Sequence, residues 1–350
     1  MAKKQIKVGG IDVGGGAPVT VQSMTNTKTE NVSDTVAQIK RLEAAGCDIV
    51  RLAVPTMEAA RAIEKIKEQV SVPIVADIHF DYRLAVAAAE AGADKIRINP
   101  GNIGGEDRVR AVVDICRRRN IPIRIGVNGG SLEKPLLAKY GRPTAEAMLE
   151  SAMHHVELLN RFDFDDICIS VKASDVPLTV AAYRLMSRET DYPLHLGVTE
   201  AGTEYSGIIK SAVGIGTLLS EGIGDTIRVS LTAPPEREVK AGIEILKAAG
   251  LRHGGVEFIS CPSCGRCRID LIKTAEEVER RLAGFDGDIT VAVMGCAVNG
   301  PGEASRADYG IAGGDGEGVL FKKGKTVKKV KTDMLVDELM AMIKEGMADN

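Results

Sequence analysis

The sequence predicts an α/β protein, with an N-terminal (β/α)8 TIM barrel over residues 1–253 and a smaller C-terminal α+β domain over residues 254–350. Three observations lead there. Eight short apolar segments alternate with amphipathic helical stretches over roughly 250 residues, the count of a closed barrel. No G-x-G-x-x-G follows the first strand, which disfavours an open dinucleotide-binding sheet. After residue 253 the texture changes, and four of the seven cysteines lie beyond residue 260.

The strands read in order as PVTVQSM (18–24), DIVRLAV (48–54), PIVADIHF (73–80), KIRINP (95–100), PIRIGVN (122–128), DICISVK (166–172), PLHLGVTE (193–200) and DTIRVSL (225–231). Between them, VSDTVAQIKRLEAAG, DYRLAVAAAEAG and PEREVKAGIEILKAAG carry apolar residues at helical spacing and end in Ala-Gly, where glycine suits the position just past a helix. The glycines of VGGIDVGGGAP precede the first strand, so they read as a turn closing the bottom of the barrel rather than as a phosphate loop. The C-terminal domain reads as a strand–helix–strand core, a hairpin at GVLFKKGKTVKKV and a final amphipathic helix at DMLVDELMAMIKEGM.

Composition narrows the function. A net charge of -3 and 3% aromatics without tryptophan argue against a nucleic-acid partner. No uncharged stretch is long enough to span a bilayer, and MAKKQIKVGG lacks an apolar leader core, so a cytoplasmic protein with no membrane partner is expected.

Strands buried on both faces should be continuously apolar. Instead Arg51, Arg97, Arg124, Lys172 and Arg228 sit within them or at their C-terminal ends, with Asp77, His79, Asn99, Asn128, His195, Glu200 and Ser230 placed similarly. The bland reading is a core of internal ion pairs. Five cations against two carboxylates, Asp77 and Glu200, speak against it, because an unpaired buried charge costs several kcal/mol. A phosphorylated ligand at the barrel mouth would supply the missing negative charge, with the Gly-rich loops NPGNIGG and VNGGSL adding backbone donors. His154 and His155, in SAMHHVELLN, read as surface or packing residues.

Cys47, Cys116 and Cys168 lie in apolar contexts and read as core residues. Residues 261–267, CPSCGRC, hold three more thiols, and Cys296 stands alone downstream. Spacing leaves two readings open: a zinc site on the loop thiols with Cys296 or His253, or an iron–sulfur cluster.

Five stretches, GGGAPVTVQSMTNT, RINPGNIG, HLGVTEAG, CPSCGR and MGCAVNGPGEA, together resemble the 4-hydroxy-3-methylbut-2-enyl diphosphate synthase family of the methylerythritol phosphate isoprenoid pathway, over nearly the whole chain. The resemblance implies reductive ring opening and dehydration of a cyclic diphosphate substrate, 2-C-methyl-D-erythritol 2,4-cyclodiphosphate. It implies a [4Fe–4S] cluster held by Cys261, Cys264, Cys296 and Glu303, with Cys267 outside the family pattern. Arg51, His79, Arg97, Arg124, Asn128, Lys172, Arg228 and Ser230 correspond to the substrate-binding set, joined by Asp77 beside His79 and by Asn299 from the cluster side. Glu200 corresponds to the acid/base residue. A flavodoxin or ferredoxin would deliver electrons, and a head-to-tail homodimer would bring one subunit's cluster domain to the other's barrel. The alternatives are a pterin- or phosphate-binding barrel transferase with a structural zinc domain, and a non-catalytic iron–sulfur sensor.

Overall fold

The computed structural model describes residues 4–285, 287–296, 302 and 304–348. Two residues of the expected site, Asn299 and Glu303, lie outside the described residues. The chain divides into two compact units, Met1–Arg252 and His253–Asn350.

The first unit opens with an antiparallel hairpin, β1 (Gln5–Val8) and β2 (Ile11–Gly14). The glycines Gly9–Gly10 and Gly15–Gly16 make turns as expected, and the segment between them adds a second strand paired with the first. Ile6, Val8 and Val13 are buried against Ile49, Val75 and Cys168, so the hairpin covers one end of the barrel interior. Gly14 turns the chain at φ +85°, and a Cβ there would meet the Lys4 carbonyl at 2.4 Å, so only glycine fits.

Eight parallel strands follow: β3 (Thr20–Met24), β4 (Ile49–Ala53), β5 (Ile74–Asp77), β6 (Lys95–Ile98), β7 (Ile123–Asn128), β8 (Ile167–Lys172), β9 (His195–Leu196) and β10 (Thr226–Ile227). Each lies within one of the eight segments read from the sequence. The order is β8-β7-β6-β5-β4-β3-β10-β9. A bridge between Ile169 and Leu194, with Ile169 N–H donating to the Pro193 carbonyl at 2.9 Å, joins β8 to β9 and closes the ring.

Side chains alternate along each strand. One set, including Val50, Leu52, Ile74, Ile96, Ile98, Ile123, Ile125, Ile167 and Ile169, is fully buried in the apolar cluster with the surrounding helices. The other set faces the barrel interior and includes Gln22, Arg51, Asp77, Lys95, Arg97, Arg124, Ser170 and Lys172. Burying the first set supplies the driving force for closure, at about 25 cal/mol per Å² of apolar surface. That leaves the interior free to be polar.

The second unit is a five-stranded sheet in the order β11 (Gly255–Ser260), β12 (Asp288–Met294), β13 (Tyr309–Ala312), β14 (Glu317–Lys322) and β15 (Lys325–Lys331). The first three strands are parallel and the last two antiparallel. Helix Leu271–Arg281 connects β11 to β12, and the C-terminal helix Leu335–Ala348 packs Leu335, Leu339 and Ile343 into a core with Val291, Val293 and Ile311.

Candidate active site

Register places Asp77, Arg97 and Arg124 side by side on β5, β6 and β7. Asp77 is the hub. Its carboxylate lies 3.1 Å from Arg97 Nη1, 3.8 Å from Arg51 Nε and 3.5 Å from His79 Nε2. Burial would raise its pKa, but Arg51, the hydrogen bond with His79, and Arg97 hold the carboxyl well below the usual range. A second centre forms on helix Pro235–Ala248, where buried Glu238 lies 3.2 Å from Arg228 and accepts hydrogen bonds from Ser23 Oγ and the Leu231 amide. Met24 Sδ links the two centres, at 2.9 Å from Arg51 Nη2 and 3.9 Å from Arg228 Nη1.

The remaining cations lack such support. Arg124 is 1% exposed, and its Nε and Nη1 have no hydrogen-bond partner among the described residues. Lys95, fully buried, leaves Nζ equally unpartnered. Burial, opposed only partly by neighbouring groups, lowers Lys95 to about 8 and Arg124 to about 10. Lys172 is pushed well below the ordinary lysine value by burial first and then by Arg124, Arg51, Arg228 and Arg97. His195 is pushed well below the ordinary histidine value by burial first and then by Arg124, Lys172, Lys95 and Arg51.

Two strand glycines make room for this crowding. A Cβ on Gly126 would meet Arg97 Nε at 2.4 Å, and one on Gly197 would meet Lys172 Nζ at 2.6 Å. Both explain the Gly within PIRIGVN and HLGVTE as space for a cation.

Among the described residues these six cations therefore face Asp77 and Glu238, a third buried carboxylate, Asp225, being taken up by the Leu194 amide just before β10, and the membership differs from the sequence count. Glu200 is exposed and forms no ion pair among the described residues, so it does not neutralise the arginines. Glu238 takes that place, and Lys95 joins the cations. Glu200 instead adopts φ +52°, a left-handed conformation that costs a non-glycine residue roughly 1–2 kcal/mol. Strain of that kind collects at functional sites. Asn128 ends β7 and Ser230 lies three residues past β10, both half-buried, and His79 is exposed beside Phe80. Of the two adjacent histidines, His154 is exposed and His155 is buried 2.7 Å from Glu133. That contact leads in lowering Glu133 to about 2, and it ties the loop after β7 to helix Ala145–Asn160.

In the second unit, β11 and β12 run parallel and end next to each other, so Cys261 and Cys296 emerge at the same end of the sheet. Gly295 N–H donates to Cys261 Sγ at 3.2 Å. Cys264 is exposed, and its pKa is lowered first by a backbone hydrogen bond at Arg266 and then by the Arg266 side chain. These features suit thiolate ligands of a metal or cluster. Cys267 differs: its thiol donates to the Ile269 carbonyl at 3.2 Å and lies where a Cβ on Gly295 would be 2.5 Å away. Among the described residues no three His, Cys, Asp or Glu side chains already converge on one point. Cys47, Cys116 and Cys168 are buried as expected, and burial raises each thiol, Cys47 to about 12.

A closed parallel barrel with more cations than carboxylates on its interior strands, followed by a sheet unit with Cys261 and Cys296 at one end of the sheet, defines an α/β barrel protein with an appended cysteine-bearing sheet unit. Residues 3–243 match the GcpE TIM-barrel domain and residues 257–345 the GcpE protein C-terminal domain. The chain is 60% identical over 346 residues, 99% of its length and 98% of the relative's, to 4-hydroxy-3-methylbut-2-en-1-yl diphosphate synthase (flavodoxin) of Geobacter sulfurreducens. The Clostridium perfringens enzyme of the same name is 61% identical over 340 residues, 97% of each chain. The chain belongs to this GcpE family of 4-hydroxy-3-methylbut-2-en-1-yl diphosphate synthases. Among solved structures, dihydropteroate synthase from Xanthomonas albilineans aligns with TM-score 0.51 at 16% identity, covering 70% of this chain and 97% of that one. Type I 3-dehydroquinate dehydratase from Clostridium difficile aligns with TM-score 0.52 at 16% identity, covering 72% and 98%. Both likenesses concern the fold alone.

Proposed function

We propose that the chain catalyses the reductive ring opening of 2-C-methyl-D-erythritol 2,4-cyclodiphosphate to 4-hydroxy-3-methylbut-2-enyl diphosphate, taking up two electrons and two protons and releasing one water. The observation that carries this reading is the uncompensated charge inside the barrel of a chain that matches the family from end to end. A cyclic diphosphate carries one negative charge per phosphate. Four guanidiniums (Arg51, Arg97, Arg124, Arg228) are then balanced by Asp77, Glu238 and the two phosphates, while Lys172 is pushed toward neutrality and Lys95, lowered to about 8, keeps most of its charge near pH 7 at the opposite end of its strand from the mouth. Arg124 is the guanidinium with two free donors ready for phosphate oxygens. Asp77 orients His79, and Arg51, Arg97, Asn128, Lys172, Arg228 and Ser230 complete the substrate-binding set.

Glu200 holds or delivers a proton at the carbon end of the substrate. Its exposed position at the mouth and its strained backbone support that role. Cys261, Cys264, Cys296 and Glu303 are the ligands for a [4Fe–4S] cluster, with Asn299 nearby in the same motif. When bound, the cluster supplies the electrons, and a carboxylate among its ligands is harder and more readily exchanged than a thiolate. Cys267 stays outside the ligand set. Flavodoxin, named for the relatives, is the electron donor in this reading, with ferredoxin as the substitute. The active assembly is a head-to-tail homodimer. Among the described residues no helix is long and apolar enough to cross a membrane.

Anaerobic purification, iron and sulfide analysis, and turnover of the cyclodiphosphate with an artificial reductant test the reading. Absence of cluster absorbance, or a cluster without turnover, would sink it. Mixing Glu200→Gln chains with Cys296→Ala chains tests the dimer. A head-to-tail arrangement restores roughly a quarter of wild-type activity, because half the dimers are mixed and each carries one intact site.

A further inference from the structure

β15 carries KTVKKVK on the open edge of the second unit's sheet, and Lys323 and Lys322 precede it at the turn. The strand is exposed along nearly its whole length. Lys328 is paired with Glu338 at 2.8 Å, whereas Lys323, Lys325, Lys329 and Lys331 have no carboxylate within ion-pair distance among the described residues. Guarding a sheet edge against aggregation needs only a charge or two. Four unpaired lysines in one short hairpin exceed that need. The ladder also slips at Leu320 and Phe321, leaving Val327 as the extra residue of a bulge, 59% exposed among the lysines. A bulge re-aims its side chain, here an apolar one, into solvent.

The register fixes where the lysines stand relative to the cysteines. Met294, which leads into Cys296, is opposite Ala312, which is opposite Val319, which is opposite Lys329. Directly paired residues share a sheet face. Lys329, and Lys331 two residues on, therefore lie on the face and end of the sheet from which Cys296 leaves. The separation is three inter-strand steps, about 14 Å. Lys323 and Lys325 sit at the opposite end, by the turn.

We propose that Lys329, Lys331 and Val327 form the docking surface for an acidic flavin-carrying one-electron donor, placing its cofactor within direct tunnelling reach of the cysteine end of the sheet. This rests on the redox reading of the cysteine unit, and it adds to that reading the surface through which electrons enter. Unpaired cations steer an anionic partner, and the exposed valine supplies the apolar contact at the centre of a small transient interface.

The test compares two charge-reversed proteins, Lys329→Glu/Lys331→Glu and Lys323→Glu/Lys325→Glu, each loaded with cluster. Turnover of the cyclodiphosphate is driven once by reduced flavodoxin and once by a small dye, and binding of oxidised flavodoxin is followed by calorimetry at two salt concentrations. The first variant is expected to lose about tenfold or more in flavodoxin-driven kcat/KM and most of the salt dependence of binding, with dye-driven turnover unchanged. The second is expected to stay within about twofold of wild type on every readout. Equal losses in both variants would reduce the effect to net charge and overturn the proposal. So would undiminished flavodoxin binding by the first variant, or wild-type binding to duplex DNA but not to flavodoxin. Failure of wild-type dye-driven turnover would instead strike the catalytic reading, and the binding measurement would still decide the surface.

Discussion

The two units carry their polar chemistry in opposite ways. In the barrel, functional side chains project from strands inside a closed wall. The cations are therefore held in place, largely buried, whether or not an anion is present. In the C-terminal unit the thiols lie on segments that follow the strands, half-buried or exposed, with backbone groups as their partners. The barrel cations are preorganised and electrostatically strained as they stand, whereas the thiols of the second unit are satisfied by nearby backbone groups. Catalytic preorganisation in the barrel is thus maintained at a cost in stability, which apolar packing outside the ring offsets.

The contrast breaks most sharply at Cys296. Cys296→Ala should abolish cluster loading and turnover while leaving thermal unfolding of the cluster-free protein within about 1 kcal/mol of wild type, since a half-exposed thiol on a loop contributes little packing. Retention of full iron and sulfide by this variant would remove it from the ligand set.

Arg124→Met is the reciprocal case. It should lower kcat/KM by a hundredfold or more, on the order of 3 kcal/mol of transition-state binding. Yet it should leave the ligand-free protein as stable as wild type, or more so by about 1–4 kcal/mol, because a packed apolar chain replaces an unpaired buried charge. Loss of stability in urea titration would mean that Arg124 is structurally partnered after all.

Lys95→Met sharpens the same point through pH. The folded-state pKa is lowered from 10.5 to about 8, so between those values the unfolded chain holds the proton and the native protein has released it. Stability from this group accordingly rises with pH across that window, and the burial penalty is felt in full below about pH 8. The variant should be more stable than wild type near pH 7 by on the order of 3 kcal/mol, with the difference shrinking toward pH 10. A difference independent of pH from 7 to 10 would show that Lys95 keeps its proton in the folded protein and that burial does not lower its pKa.

Cys267→Ala is the mildest. Its thiol is satisfied by the Ile269 carbonyl, so the cluster should load normally and stability should fall by less than about 1 kcal/mol. Parallel iron analysis and thermal melts of this variant and Cys296→Ala decide between the two thiols.

How far the sequence reached can be judged residue by residue. All eight barrel strands were legible because helix-facing positions such as Ile74, Ile96 and Ile123 are apolar at strand spacing and bounded by turn residues. Arg51, Asp77, Arg97, Arg124 and Lys172 were legible as anomalies in that pattern. Glu238 was overlooked, although a trace existed: it falls on the stripe of Pro235, Val239, Ala241 and Gly242, the buried face of its helix. Lys95 stands first in its strand, where a surface lysine would be ordinary, so no local signal marks it. His155 and Glu133 come from different elements, and nothing local announces their pairing.

By itself the sequence determined the class of fold, the places where charge interrupts an apolar strand, and the family through its five motifs. Those are properties of periodicity, composition and local residue order. Tertiary structure alone decided which carboxylates answer which cations: Asp77 serves Arg51 and Arg97, Glu238 serves Arg228, and Glu200 serves none of them. The reason is that a net charge can be counted along a chain, but its compensation depends on distances of a few ångströms between residues as far apart as Ser23 and Glu238. Only closure of the ring brings those within reach.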